Sequence, residues 1–291
     1  MTGRRVAERQ GVRTDPDLAE TGQDSGGQDA GETAGGGGAR GLEFVLSLER
    51  GLAVLCAFGP GRERMTLTQV AALTGLSRGT ARRFLLTLAE LDFLASDGKL
   101  FWLTPKVLRF SHGYLASFGR SEAARPHLQA ISDHFNESCS LAVLDGAEVV
   151  YVARVEARRV FSSRIDIGTR LPAHCTALGR VLLGGLEPEA LEAWMARYPL
   201  APWTERTVVD PALFRQRIQE ARRQRHAIID GETELGSRSI AVPVPDPAGR
   251  TVAALNIGAS AARVSLAQMR REMLPALRAA AERIATLALP W

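Results

Sequence analysis

The chain has 291 residues, 45% of them hydrophobic and 23% charged, with a formal net charge of +4 at neutral pH. That length suffices for about two domains with real cores, and the longest unbroken apolar run, Leu52 to Phe58, falls far short of the roughly 18 residues of a membrane span. Arg4 and Arg5 have no apolar stretch behind them, so neither a transmembrane helix nor a secretory signal is expected, and the cytoplasm is the expected compartment.

Residues 1–41 are Gly-rich, end in Gly35 to Gly38, and hold Val6, Val12 and Leu18 as almost their only large apolar side chains after Met1. Such a segment buries too little surface to offset its ordering entropy, and a disordered tail is predicted. No Gly-Lys-Ser/Thr follows the four glycines, so they read as a tether and not as a phosphate cradle.

From Phe44 onward, Leu48, Leu52, Val54 and Leu55 supply a helical apolar face. After the break GPGRERMT, residues 66–75 predict a short helix capped by Thr66 or Thr68, with Val70, Ala71 and Leu73 inward and Gly75 at its end. Ser77 offers its hydroxyl as the cap of a third helix, in which Ala81, Phe84, Leu85, Leu88 and Leu91 recur at helical spacing. Helix, Gly turn and helix form a helix-turn-helix order. Residues 93–104 place Asp97-Gly98 between two apolar runs, which predicts a hairpin wing. After Pro105 a helix runs to about Phe118, with Val107, Leu108, Phe110, Tyr114 and Leu115 on one stripe.

The second half opens with a helix over 121–137. Two strands, SLAVLD and EVVYVARV, meet at Asp145-Gly146, and VFSSRIDIG over 160–168 reads as the third strand of an antiparallel meander. Helices follow at 175–186, 188–198 and 211–225. Residues 239–258 then form a hairpin turned at Asp246 to Gly249, and a last helix spans about Val264 to Leu287. This order implies an α+β fold. The division read from the sequence is a tail over 1–41, a winged helix-turn-helix domain over 42–104, a linker helix over 105–120 and a ligand-binding domain over 121–291.

On a helix advancing about 100° per residue, Phe84, Leu88 and Leu91 gather on one face. The opposite side shows Arg78, Gly79, Thr80, Arg82, Arg83 and Thr87, and no acid precedes Glu90. The helix dipole adds positive potential at that end. Arg reads guanine in the major groove, and Thr bonds a base or touches a thymine methyl. A cationic helix face by itself is usually just solvated; the capped helix, Gly turn and wing carrying Lys99 beside it turn the balance to double-stranded DNA. Thr68 and Ser77 at the helix starts complete the expected contact set.

At this point SLERGLAVLCAF, LTQVAALTGLSRGTARRFLLTLAELDFL and LTPKVLRFSHGYL resemble the DNA-binding domain and linker helix of the IclR transcriptional regulators. RVEARRVFSSRIDIGTRLPAHCTALGRVLL and ELGSRSIAVPVPDPAGRTVAALNIGAS resemble that family's effector domain, so the resemblance covers residues 44–288. It is nearest to the branch that controls aromatic-acid breakdown by the β-ketoadipate route, the protocatechuate and hydroxybenzoate regulators. The resemblance implies a GAF-like effector domain with an antiparallel sheet, and a homodimer or dimer of dimers on a near-palindromic operator. It further implies an effector site at Ala177, Leu178, Ile229, Ser239, Asn256 and Gly258. Two positions depart from the familiar pattern: Ile229 precedes Asp230 where many relatives have paired acids, and Ser237 stands in GSRSIA where GLRSIA is familiar.

The residues support part of this independently. IGTRLPAHCTALGRVLL leaves a strand, bends at Pro172 and enters a helix near Thr176, so free N–H groups and the Thr176 hydroxyl form an anion-binding end. Ser239 and Asn256 could add polar contacts to a small carboxylate there; the blander reading makes Thr176 a cap and Asn256 a backbone partner. Arg170, Arg180 and Arg238 are carboxylate candidates, equally suited to structural salt bridges. Phe101, Trp102, Phe110 and Tyr114 either bury the linker helices between subunits or pack within one subunit.

Two other readings are weaker. A hydrolase would require a nucleophile motif, but no GxSxG elbow exists and neither Cys139 nor Cys175 has a partner motif. A sensor working through a protein partner would keep the fold without DNA. Cys56, Cys139 and Cys175 are odd in number and far apart, as reduced thiols are. His112, His127, His134, His174 and His226 show no metal-ligand spacing. No metal, no cofactor and no catalysis are expected.

Overall fold

A computed structural model describes residues 43–117, 121–157 and 165–287. The expected tail, Phe118 at the end of the linker stretch, and Val160 to Arg164 of the expected third meander strand lie outside the described residues.

The N-terminal part runs α1 (Leu46–Cys56), β1 (Met65–Thr66), α2 (Leu67–Thr74), α3 (Arg78–Glu90), β2 (Leu94–Ser96) and β3 (Leu100–Leu103). Its sheet has the order β1-β3-β2 and is antiparallel. Thr66, not Thr68, caps α2: its Oγ1 accepts from Gln69 N–H at 3.3 Å while Gln69 Oε1 accepts from Thr66 N–H at 2.8 Å, a reciprocal capping box. Gly75 ends α2 at φ 67°, a left-handed position that only Gly adopts without cost. Val54, Val70, Leu85, Leu94 and Phe101 close one small core. Four residues assigned inward by the spacing are exposed: Leu48, Leu52, Leu73 and Leu91. With only three helices and a narrow sheet, one side of α1 and the ends of α2 and α3 have nothing to pack on among the described residues.

A single 3-10 turn (Pro105–Val107) leads into α4 (Leu108–Ser117). The start of α4 is clamped to the end of α3. Phe110 stacks on Phe93 at 5.6 Å, and Lys106 Nζ donates to Leu91 O at 2.8 Å. Phe101 sits in the N-terminal core, not between linker helices, and Trp102 carries the Arg64 guanidinium at 4.2 Å.

The C-terminal part contains α5 (Ser121–Phe135), β4 (Ser138–Asp145), β5 (Glu148–Val155), β6 (Arg170–Pro172), α6 (Ala177–Gly184), α7 (Pro188–Arg197), α8 (Pro211–Gln224), β7 (Ala227–Asp230), β8 (Ser237–Pro245) and β9 (Thr251–Ser260). The end is α9 (Leu266–Gln268), a π turn (Met269–Met273) and α10 (Leu274–Thr286). The π turn falls just ahead of Pro275, whose missing N–H interrupts the helical ladder. The expected single last helix is therefore broken. The six strands form one antiparallel sheet, β6-β5-β4-β9-β8-β7. One face packs on α5 and α10 through Leu128, Leu141, Leu255 and Leu277, and the other on α6, α7 and α8 through Leu178, Trp194 and Phe214.

One expectation is corrected here, and one element is added. The third meander strand is Arg170–Pro172, and Ile165 to Gly168 form no strand. Residues 227–230, left unassigned by the sequence pattern, are edge strand β7, a run too short to show alternation. Among the described residues, no helix is long and apolar enough to cross a membrane.

Candidate functional site

Two sites emerge, one in the N-terminal part and one in the C-terminal part. In the first, Ser77 Oγ accepts from Thr80 N–H at 3.2 Å and fixes the start of α3. Ala81, Leu85 and Leu88 are buried against α1, α2 and the sheet. That rear anchor leaves Ser77, Arg78, Gly79, Arg82, Arg83 and Thr87 exposed and Thr80 half-buried. Arg78, Arg82 and Arg83 meet no carboxylate among the described residues, so the front of α3 is an uncompensated cationic ridge. Thr68 is exposed at the start of α2. Lys99 projects from the wing turn, where Asp97 Oδ1 accepts from Lys99 N–H at 3.0 Å and Leu100 N–H at 2.8 Å. Arg62 and Arg64, passed over in the sequence because they lie in the break before α2, are exposed as well. A convex ridge of Arg and Thr at a helix N-terminal half has the shape and charge of a major-groove reader.

The second site is a cavity of 650 Å³. Thr176, Ala177, Leu178, Ile229, Ser239, Asn256 and Gly258, the whole set singled out in the sequence, line it together. The helix α6 enters it at its N-terminus. Thr176 Oγ1 accepts from Gly179 N–H at 3.0 Å, and Ala177 and Leu178 of the first turn line the cavity. Gly179 is required there: a Cβ on it would fall 2.0 Å from Ala173 O.

The floor is a polar row across three neighbouring strands. Arg154 on β5 lies opposite Ser140 on β4, which lies opposite Asn256 on β9. Arg154 Nη1 donates to Ser140 Oγ at 3.1 Å, and Nε, 3.6 Å from Glu156, is buried without a hydrogen-bond partner. Asn256 Nδ2 donates to Ser239 Oγ at 2.9 Å. Tyr151 also lines the cavity, and burial pushes its phenol up to about 12, so it is a neutral donor at physiological pH.

The three arginines offered from the sequence as carboxylate partners are committed elsewhere. Arg170 binds Glu148 at 2.6 Å and Asp145 at 2.7 Å. Arg180 forms a buried pair with Glu232 at 2.6 Å. Arg238 grips Asp230 at 2.8 and 3.1 Å and the carbonyl of Val264 at 2.8 Å. The sequence reading missed Arg154, although a lone cation inside the apolar run EVVYVARV was the available signal. Cys175 lies beside the cavity, and burial raises its thiol to about 11, which leaves little thiolate for nucleophilic work.

Family models match most of the chain: an IclR helix-turn-helix domain over residues 47–98 and a bacterial transcriptional regulator IclR C-terminal domain over 112–286. The chain is 39% identical to the Pca regulon regulatory protein of Pseudomonas putida, over 82% of each chain. It is also 39% identical to the p-hydroxybenzoate hydroxylase transcriptional activator of Acinetobacter baylyi, over 84% of this chain and 92% of that one. Its fold is similar to an IclR homolog from Microbacterium hydrocarbonoxydans solved in complex with 4-hydroxybenzoate, with TM-score 0.71, 25% identity, and 83% and 98% of the two chains covered.

Proposed function

The chain belongs to the IclR family of bacterial transcriptional regulators, and we propose that it governs genes of aromatic-acid catabolism by binding an operator through α3 and an aromatic carboxylic acid in the 650 Å³ cavity. The observation that carries this reading is the pairing of an exposed Arg ridge, unneutralised among the described residues, on one domain with a cavity on the other whose wall holds Arg154, buried and with Nε unpartnered.

In the reading head, Arg78, Arg82, Arg83, Thr80 and Thr87 address base edges and phosphates, Thr68 and Ser77 touch the backbone at the helix starts, and Lys99 reaches from the wing. In the cavity, the acid's carboxylate takes its charge-assisted bonds from Arg154, with the α6 N-terminus adding positive potential. Ala177, Leu178 and Ile229 enclose the ring. Nothing in this cavity calls for a catalytic step, and the regulator works in the cytoplasm on chromosomal DNA.

Exposed apolar side chains on α1 (Leu46, Leu48, Leu52) and α4 (Leu108, Phe110, Tyr114) support a homodimer, or a dimer of dimers, in which a second copy covers them. Two heads then meet two half-sites of a near-palindromic operator. A ligand changes their placement only if it binds the two arrangements with different affinity.

Gel-shift titration on the DNA upstream of its own gene tests this function. A salt-sensitive, sequence-dependent shift that 4-hydroxybenzoate or protocatechuate alters is the expected result. Absence of any such shift would mean a sensor that works without DNA.

A further inference from the structure

We infer that Asn256 selects effectors by demanding a hydroxyl hydrogen, so that the cavity takes hydroxylated aromatic acids in preference to acids lacking an O–H donor. This rests on the cavity being the effector site. Asn256 is only 6% exposed, and its Oδ1 has no hydrogen-bond partner among the described residues. Its Nδ2 is occupied by Ser239 Oγ. A side-chain amide has two donors and one acceptor oxygen; one N–H and the whole of Oδ1 are left over, and Oδ1 is the atom of this cavity-lining residue that is buried without a partner.

The strand pairing sets the distance over which a ligand must act. Arg154 and Asn256 are opposite the same residue, Ser140, from its two sides, so their backbones stand two strand spacings apart, about 9.5 Å. Arg154 turns Nη1 to Ser140 Oγ at 3.1 Å, over the middle strand, so a ligand that meets both residues lies along this polar row, with the cation toward one end and the acceptor at the other. A ligand that displaces solvent from this wall must supply the hydrogen itself, because a buried acceptor left unmet weakens binding. A phenolic hydroxyl opposite the carboxylate does so. An oxo-dicarboxylate presents acceptors at both ends and leaves Oδ1 unmet, and a fluoro-substituted benzoate matches the ring without a donor.

The test is calorimetric binding of the full chain to 3- and 4-hydroxybenzoate, each against its fluorobenzoate counterpart, and to 3-oxoadipate, with wild type, Asn256→Leu and Asn256→Asp. In the wild type, the better hydroxybenzoate should bind at least tenfold tighter than its fluoro counterpart and than 3-oxoadipate. Asn256→Leu should shrink the hydroxy-to-fluoro ratio to about threefold or less, while Asn256→Asp, which keeps an acceptor, should retain the preference. Equal binding of hydroxy and fluoro acids by the wild type overturns the inference and leaves the cavity as the effector site; so does a preference that survives in Asn256→Leu. Should Asn256→Leu not fold, the wild-type ratios decide by themselves. Failure of every aromatic acid to bind overturns the effector reading and this inference with it.

Discussion

Arg154 has a nearly buried guanidinium, its side chain only 7% exposed, on a strand whose other inward residues are apolar. Its nearest carboxylate, Glu156 at 3.6 Å, is itself half in solvent, so part of its hydrogen-bonding capacity remains for a ligand. Arg154→Leu keeps the volume and removes the charge. It should weaken binding of every aromatic acid by about 1.5 to 3 kcal/mol, read by calorimetry, while operator binding without ligand stays unchanged. His174 offers a pH test. Burial first, and the nearby Arg180 charge, hold its imidazole below the ordinary 6.5, against the hydrogen bond of Nε2 to Ala201 O at 2.8 Å. A histidine with a depressed folded value contributes stability above the unfolded value of 6.5. That contribution is lost as pH falls from there through the folded value, because the unfolded chain binds the proton more readily. Wild type should therefore lose thermal stability between pH 6.5 and 5 more steeply than His174→Gln, in parallel melts; identical slopes would remove His174 from the account.

At the scale of elements, the two candidate surfaces are each set by a helix start. For α3 the start is Ser77, and Ser77→Ala should cost about 1 kcal/mol of stability and weaken DNA binding through fraying of the turn that carries Arg78 and Thr80. For α6 it is Thr176 with Gly179 against Ala173. Gly179→Ala should destabilise by roughly 1 to 3 kcal/mol through overpacking and abolish acid binding, with melting and calorimetry as the checks. These starts were legible in the sequence because caps and glycines act within a few residues: Ser77, Gly75 and Asp97-Gly98 each announce a local backbone state. Six of the seven cavity residues were legible through the family resemblance and Thr176 through the helix start, and the sheet register explains their convergence by bringing β8 and β9 beside the start of α6. What depended on distant partners was not legible. The pairing of Arg180 with Glu232 is 52 residues long in sequence, and the bonds of Arg170 to Asp145 and of Arg238 to Val264 likewise join separate elements. Spacing cannot assign such arginines to a ligand or to a bridge. The exposed faces of Leu48 and Leu52 were misread because helical periodicity reports an apolar face, not what covers it.

Across the whole molecule, the clamp of Phe93 on Phe110 and of Lys106 on the end of α3 ties the reading head to α4. The exposed apolar side chains of α1 and α4 are the surface that the proposed dimer would use to hold two heads at a set distance. Leu52→Glu places a charge there without disturbing the core, since Leu52 is half exposed. It should shift sedimentation from dimer toward monomer and lower operator affinity steeply, because a single head meets a single half-site. The central claim is that the front of α3 lies in a duplex groove. Its most direct test is the salt dependence of operator binding by wild type, Arg82→Ala and Arg83→Ala, each first shown to be folded. A base contact predicts a loss of about 1 to 3 kcal/mol, and a phosphate contact a salt slope reduced by about 1. Binding by both variants with wild-type affinity and wild-type slope would contradict the account.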